Sequence, residues 1–193
     1  MAVSRYDQRK SYEEAEANAI GTEYARADLL PVDDGVKLRE LLRNYANQRI
    51  LFYESDEPQI SKAANEAQKL QAELWSRVVQ ATATQSTPVV ILAVSGMNDV
   101  LNSQGYTQAA WWNRIPAAAW ILMGLIATVC NLLLGYRERS TGLLVLLVVP
   151  VVSSIAFFLI ADIDSPRGGV IRVIPHNLIA VSQAMNARPS TSP

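Results

Sequence analysis

Residues 116–136 read PAAAWILMGLIATVCNLLLGY and residues 142–161 read GLLVLLVVPVVSSIAFFLIA, and neither stretch contains a charged residue. About twenty apolar residues in a helix cross the hydrocarbon core of a bilayer. Because lipid offers no hydrogen bonds, each segment must satisfy its own backbone amides, which requires a helix. The polar stretch RERST alone separates them. We therefore predict two antiparallel transmembrane helices, at residues 116–136 and 142–161.

Aromatic residues mark the ends of the first apolar stretch. Trp111 and Trp112 precede it and Tyr136 closes it. Trp and Tyr favour the headgroup region of a bilayer, so we predict that these three side chains are membrane-interface anchors. The alternative is a buried hairpin in a large soluble helical protein. The length, adjacency and lack of charge of the two stretches favour the membrane.

The N-terminal part of the chain, residues 1–110, is expected to be an extramembrane bundle of helices. Apolar residues at three- and four-residue spacing predict helices over residues 6–30, over residues 35–55 and from residue 59 onwards. Asp33 or Asp34 is a plausible N-cap for the second helix. A further apolar stretch, residues 88–101, is too short to span a bilayer and fits a core or interfacial helix. The predicted fold class is thus all-α, an integral membrane hairpin with an N-terminal extramembrane helical bundle.

Composition argues against several classes of function. The net charge is −1, which provides no basic field for nucleic acid. Cys130 is the one cysteine, so no intrachain disulfide or thiolate cluster can form. His176 is the one histidine and has no second histidine as a metal-binding or catalytic partner. Hydrolase, zinc-protease and phosphate-loop motifs are missing from the sequence. We therefore expect no enzyme activity, no cofactor and no metal.

A charged cluster, Asp162, Asp164 and Arg167, follows the second apolar stretch directly. Two carboxylates and an arginine at a membrane surface could bind a cation or organise a gate. The alternative is a helix end, stabilised by charge that resists sliding into lipid. We favour the helix end, because the spacing matches no known cation or phosphate loop. Since Asp162 lies near the negative end of the helix dipole, Asp162→Asn is expected to be tolerated.

Two membrane spans place both ends of the chain on the same side. Residues 1–114 and the C-terminal interfacial segment and tail, residues 162–193, carry most of the Lys and Arg. Positive residues favour the cytoplasmic side. We predict a multi-pass protein of the inner (plasma) membrane with both termini in the cytoplasm.

Three stretches of the sequence together resemble the bestrophin-like domain family of bacterial membrane proteins. The resemblance covers most of residues 5–175, and the order of the stretches carries it more than any one of them. The residues are Arg5, Tyr6, Arg9, Glu16–Gly21, Arg26, Ala27 and Leu29–Pro31 in the first stretch, Leu41–Arg43, Tyr45 and Arg49 in the second, and Asp162–Asp164, Pro166–Gly168, Ile171 and Arg172 in the third.

The resemblance implies a distant relation to bestrophin anion channels. It also implies two apolar helices upstream of Arg5-Tyr6, which the sequence from Met1 does not contain, and no residue here matches a pore motif of the family. We expect a subunit of a membrane assembly related to anion channels, with the lipid bilayer and further copies of the chain as partners. The alternative is a membrane-anchored scaffold or interaction protein without transport activity.

Overall fold

The computed structural model describes residues 2–55, 57–84, 87–137, 143–165 and 168–187, and within these residues every regular element is a helix. This confirms the predicted all-α fold. The α-helices are α1 (Ala2–Arg26), α2 (Val32–Glu54), α3 (Glu57–Thr84), α4 (Pro88–Trp112), α5 (Ala117–Arg137), α6 (Leu143–Asp164) and α7 (His176–Ala187), and a short 3-10 helix (Ala27–Leu29) follows α1.

Proline decides where α2 begins. Pro31 occupies the N-cap position without a side-chain hydrogen bond, and its carbonyl accepts the first helical hydrogen bond from the Gly35 N–H at 2.8 Å. Asp33 and Asp34 lie inside the first turn, where negative charge is favourable. The prediction that one of them is the N-cap is wrong, because the proline ring already fixes φ for the helix entry.

Helix α4 is longer than its apolar stretch. It continues from the predicted residues 88–101 through a polar segment to Trp112. Within this continuation, Ser103 Oγ donates to the Val100 carbonyl at 2.8 Å. Apolar periodicity alone does not reveal such a segment.

The chain divides into two compact units. The hairpin unit comprises Met1–Asp7 and Trp111–Arg172, and the bundle unit comprises Gln8–Ala110 and Val173–Pro193. This division differs from the predicted domain bounds at both ends of the chain. The first residues of α1 group with the hairpin, and α7, expected to be part of an interfacial segment and tail, belongs to the bundle unit.

The bundle unit has the hydrophobic core. Its fully buried residues come from α1, α2, α3, α4 and α7, and include Ile20, Leu38, Leu74, Met97 and Leu178. Each helix contributes one apolar stripe, as the helical spacing predicts. Helix α7 was not predicted, although Leu178, Val181 and Met185 stand at the spacing of a helix face.

Helices α5 and α6 make up most of the hairpin unit, and their apolar side chains are exposed. Leu132 is 68% exposed and Phe158 is 64% exposed. Two stretches are long and apolar enough to cross a membrane: Val90–Tyr136, which contains α5, and Leu147–Asp164 within α6. A buried hairpin of a soluble protein would hide these side chains, and here they are uncovered. The connecting residues Glu138 to Gly142 lie outside the described residues.

Candidate functional site

Asp162, in the last turn of α6, binds the chain that follows the helix. Its Oδ1 accepts the Val170 N–H at 2.7 Å and its Oδ2 accepts the Ile171 N–H at 2.9 Å. Both carboxylate oxygens are therefore engaged by backbone donors, and the side chain is buried. The helix dipole, from which we expected Asp162→Asn to be tolerated, is a weaker effect than two such charge-assisted hydrogen bonds.

Gly169 allows this turn to lie close to α6. A Cβ atom added at Gly169 would stand 2.5 Å from the Asp162 carbonyl oxygen and 2.9 Å from its Oδ1. Real Cβ atoms do not approach backbone oxygen that closely, so a side chain would push the turn away. No described glycine has a positive φ. Gly169 thus serves the close approach of the turn to α6.

Asp164 joins the end of α6 to the residues before α5. Its two oxygens accept the Ile115 N–H at 3.0 and 3.1 Å. Arg5 lies beside it, with Nη1 at 3.8 Å from Asp164 Oδ1 and at 2.7 Å from the Asn113 carbonyl oxygen. The end of α6, the start of α5 and the N-terminal turn of α1 are thereby connected within the hairpin unit.

The predicted cluster is brought together in part. Asp162 and Asp164 both lie at the end of α6, and each faces a different segment of the backbone. Arg167 lies outside the described residues. Arg5, which the sequence analysis did not place in this cluster, is the cation seen near Asp164. Among the described residues, no group of three or more His, Cys, Asp or Glu side chains is arranged to hold a metal ion. A structural role for the two carboxylates remains our interpretation.

The predicted interface anchors have different surroundings. Trp112 is 75% exposed and Tyr136 is 90% exposed, so both rings are available to lipid headgroups. Trp111 is 5% exposed. Its ring is buried, and its role as an interface anchor stays a prediction. Neighbouring residues on a helix point about 100° apart, which explains why two adjacent tryptophans differ.

A groove of about 530 Å³ runs between α5 and α6 and has polar side chains in its lining. Asn131 Nδ2 donates to the Ala127 carbonyl at 2.8 Å, and Thr128 Oγ1 donates to the Gly124 carbonyl at 2.8 Å. These bonds satisfy the donors within α5, as helices in lipid require. Ser153, Ser154 and Pro150 of α6 line the other side. Cys130 of α5 is exposed.

The bundle unit contains a buried ion pair between α1 and α2. Glu16 and Arg49 are almost fully buried, and Arg49 Nη2 donates to Glu16 Oε2 at 3.1 Å in addition to a contact through Nε. Thr107 Oγ1 of α4 donates to the same Oε2 at 3.1 Å. Burial opposes the charge on Arg49, but the adjacent Glu16 carboxylate raises the pKa of the guanidinium above its usual value. Sequence reasoning noted both residues but did not pair them.

The Bestrophin-like domain model matches residues 1–178. The chain belongs to the Bestrophin-like domain family. No curated protein and no solved structure matches the chain.

The family stretches meet in pairs in this Bestrophin-like chain. Arg5 of the first stretch lies beside Asp164 of the third, and Glu16 of the first pairs with Arg49 of the second. Residues that are far apart in the sequence but belong to the family stretches are thus ion-pair partners in the structure. In these two pairs, residues of the family stretches connect one helix to another.

Proposed function

We propose that this chain is a subunit of a homo-oligomeric membrane assembly related to bestrophin anion channels. We further propose that it lies in the inner (plasma) membrane with both termini in the cytoplasm. The observation that supports this most is the pair of apolar helices, α5 and α6, whose side chains are uncovered in a chain that belongs to the Bestrophin-like domain family.

The lipid bilayer and further copies of the chain are the proposed partners. An apolar surface of this size on a soluble monomer would cause aggregation, whereas lipid or a neighbouring hairpin would cover it. The groove between α5 and α6 supports association, because small and polar residues allow transmembrane helices to approach closely.

We assign the chain no catalytic role, no cofactor and no nucleic-acid partner. His176 is exposed at the start of α7, and a histidine without a positioned partner has no general-base function that can be recognised. The net charge of −1 does not favour binding to phosphate backbones.

Anion flux through proteoliposomes tests the proposal against a membrane-anchored scaffold. The purified full-length chain is reconstituted, and chloride efflux is measured with a chloride electrode. Empty vesicles and vesicles loaded with gluconate are the controls. Efflux of chloride but not gluconate is expected, together with an oligomer by cross-linking in the same vesicles. An oligomer that passes no chloride would favour the scaffold, and a monomer without flux would contradict the assembly itself.

A further inference from the structure

A small polar cavity of about 200 Å³ opens between α1 and α4 in the bundle unit. Asn18, Thr22 and Arg26 line it from α1, and Gly96 and Asp99 line it from α4. The α1 residues recur every four positions and therefore share one face of the helix. Neither the hairpin nor the ion pair between Glu16 and Arg49 involves these side chains.

Glu23 lies beside Gly96 and Arg26, two residues that line this cavity, and has no hydrogen-bond partner in the described part of the chain. The residue is 0% exposed, and neither Oε1 nor Oε2 bonds to any group in the described part of the chain. Its nearest cation is Arg26, whose Nη1 lies 4.0 Å from Oε2, beyond hydrogen-bonding distance. A charged carboxylate in such a position is costly, whereas a neutral carboxylic acid is much less so.

Gly96 explains how an acid can be buried here. A Cβ atom at this position would overlap both the Glu23 carboxyl group and the Arg26 guanidinium. The two side chains therefore lie directly against the backbone of α4. Gly96 and Arg26, which both contact the space around the Glu23 carboxyl group, also line the cavity, and the Arg26 side chain is 30% exposed.

The charges facing Glu23 come from both helices. Burial raises the pKa of Glu23 from 4.5 to about 8, Arg26 of α1 lowers that pKa, and Asp99 of α4 raises it. Desolvation thus outweighs the one cation, and the acid keeps its proton at neutral pH.

We propose that Glu23 is a proton-binding site and that Arg26 is the counter-ion that closes on it when the proton leaves. The protonated acid packs against Gly96 while Arg26 lines the cavity. Loss of the proton to water in the cavity leaves a carboxylate, and the guanidinium then moves from 4.0 Å to the roughly 2.8 Å of a charge-assisted hydrogen bond. The packing of α1 on α4 therefore depends on pH.

The pH dependence of stability has a definite sign. The pKa of Glu23 is raised in the folded chain, from 4.5 to about 8, so the folded state holds its proton over a range in which the unfolded state loses it. The stabilisation is complete below about pH 4.5 and is lost as pH rises to about pH 8. Over that window this one group lowers the ratio of folded to unfolded chain by up to about tenfold per pH unit.

Infrared spectroscopy of the full-length protein in detergent tests the proposal directly, because a protonated carboxyl group has its own carbonyl band. Spectra of the parent and of Glu23→Gln are recorded across pH, and Glu14→Gln is the matched control at an exposed position of α1. We expect a carboxylic-acid band at neutral pH in the parent that disappears with a midpoint near pH 8. The band should persist in Glu14→Gln and be lost in Glu23→Gln.

Two further variants keep Glu23 itself and identify its neighbours. Arg26→Gln should move the midpoint of the band to higher pH, because the stabilising cation is gone. Asp99→Asn should move it to lower pH, because a repelling charge is gone. A parent protein without such a band above about pH 6, or a band that Glu23→Gln retains, would overturn the proton site. A midpoint unmoved by Arg26→Gln would overturn the role of the counter-ion.

Discussion

Three carboxylates in the described part of the chain accept hydrogen bonds from backbone N–H groups. Asp162 accepts the N–H groups of Val170 and Ile171, and Asp164 accepts that of Ile115. Glu13 accepts the Leu178 N–H at 2.9 Å. Each bond satisfies a backbone donor at the end of a helix or in a turn, where no helical partner exists. At the residue scale, these carboxylates therefore fix where one segment of the chain is held against another.

Asp162→Asn tests this role. An asparagine places an NH₂ group opposite one of two backbone N–H groups, so one donor loses its acceptor. An unsatisfied buried donor costs about 1–3 kcal/mol, and because these two N–H groups are only part-buried, we expect the unfolding free energy in detergent to fall by an amount at the lower end of that range. Asp7→Asn, at an exposed position of α1, should change it little. Equal stabilities of Asp162→Asn and the parent would show that the two hydrogen bonds contribute nothing.

The buried pair of Glu16 and Arg49 should be sensitive to the loss of one partner. Arg49→Met leaves the Glu16 carboxylate buried with Thr107 as its remaining donor, and breaking a buried ion pair costs about 3–5 kcal/mol. Arg39→Met is the matched control, because Arg39 pairs with Asp28, which is 58% exposed, and surface pairs contribute about 0–1 kcal/mol.

A double variant separates pairing from packing. Arg49→Met combined with Glu16→Leu removes both charges, so chemical denaturation should show most of the lost stability restored. If the double variant is no more stable than Arg49→Met, the loss comes from packing around the arginine and the uncompensated charge of Glu16 is irrelevant.

Among the helices, α7 depends most on its neighbours. At its start, Glu13 Oε1 accepts the Leu178 N–H and Oε2 accepts Asn177 Nδ2 at 2.7 Å. Near its end, Arg43 Nη2 donates to the Met185 carbonyl at 2.9 Å. An acid at the N-terminus and a base at the C-terminus complement the helix dipole. A twelve-residue helix is marginal in isolation, so these contacts stabilise it.

Glu13→Ala is expected to loosen the first turn of α7. Removing an N-cap acceptor costs about 0.5–2 kcal/mol. Hydrogen exchange followed by mass spectrometry should show faster exchange in peptides covering α7 and unchanged exchange in α3. Glu14→Ala, at the neighbouring exposed position, should leave α7 as in the parent. Protection of α7 that survives Glu13→Ala would mean that its apolar face alone holds it.

The sequence alone was sufficient to predict some of the helices and not others. The helices of the two proposed spans, α5 and α6, were predicted to within a few residues, because a run without charge is a local property that needs no tertiary information. Helix α7 was missed, because its capping charges, Glu13 and Arg43, come from distant parts of the chain. The same holds for the cluster at the end of α6: position alone indicated Asp162 and Asp164, but their donors, and Arg5, become visible only once the chain is folded.

At the scale of the whole molecule, the division into a hairpin unit and a bundle unit follows from where apolar surface is covered. The bundle unit buries its apolar stripes within itself, and the hairpin unit leaves those of α5 and α6 exposed. A bilayer around α5 and α6 would make both arrangements stable in one chain. Our central proposal is therefore that α5 and α6 cross the bilayer as a hairpin, with the bundle unit on the cytoplasmic side.

Single-cysteine labelling in intact cells measures this most directly. In a Cys130→Ser background, one variant carries Ser140→Cys in the connection between the spans, and another carries Ser11→Cys on the exposed side of α1. We predict that an impermeant thiol reagent labels position 140 in intact cells and labels position 11 only after the cells are permeabilised. If both positions react in intact cells, or both are protected until permeabilisation, they lie on the same side and the hairpin does not cross the membrane. Labelling of position 11 alone would show that the hairpin crosses in the opposite orientation.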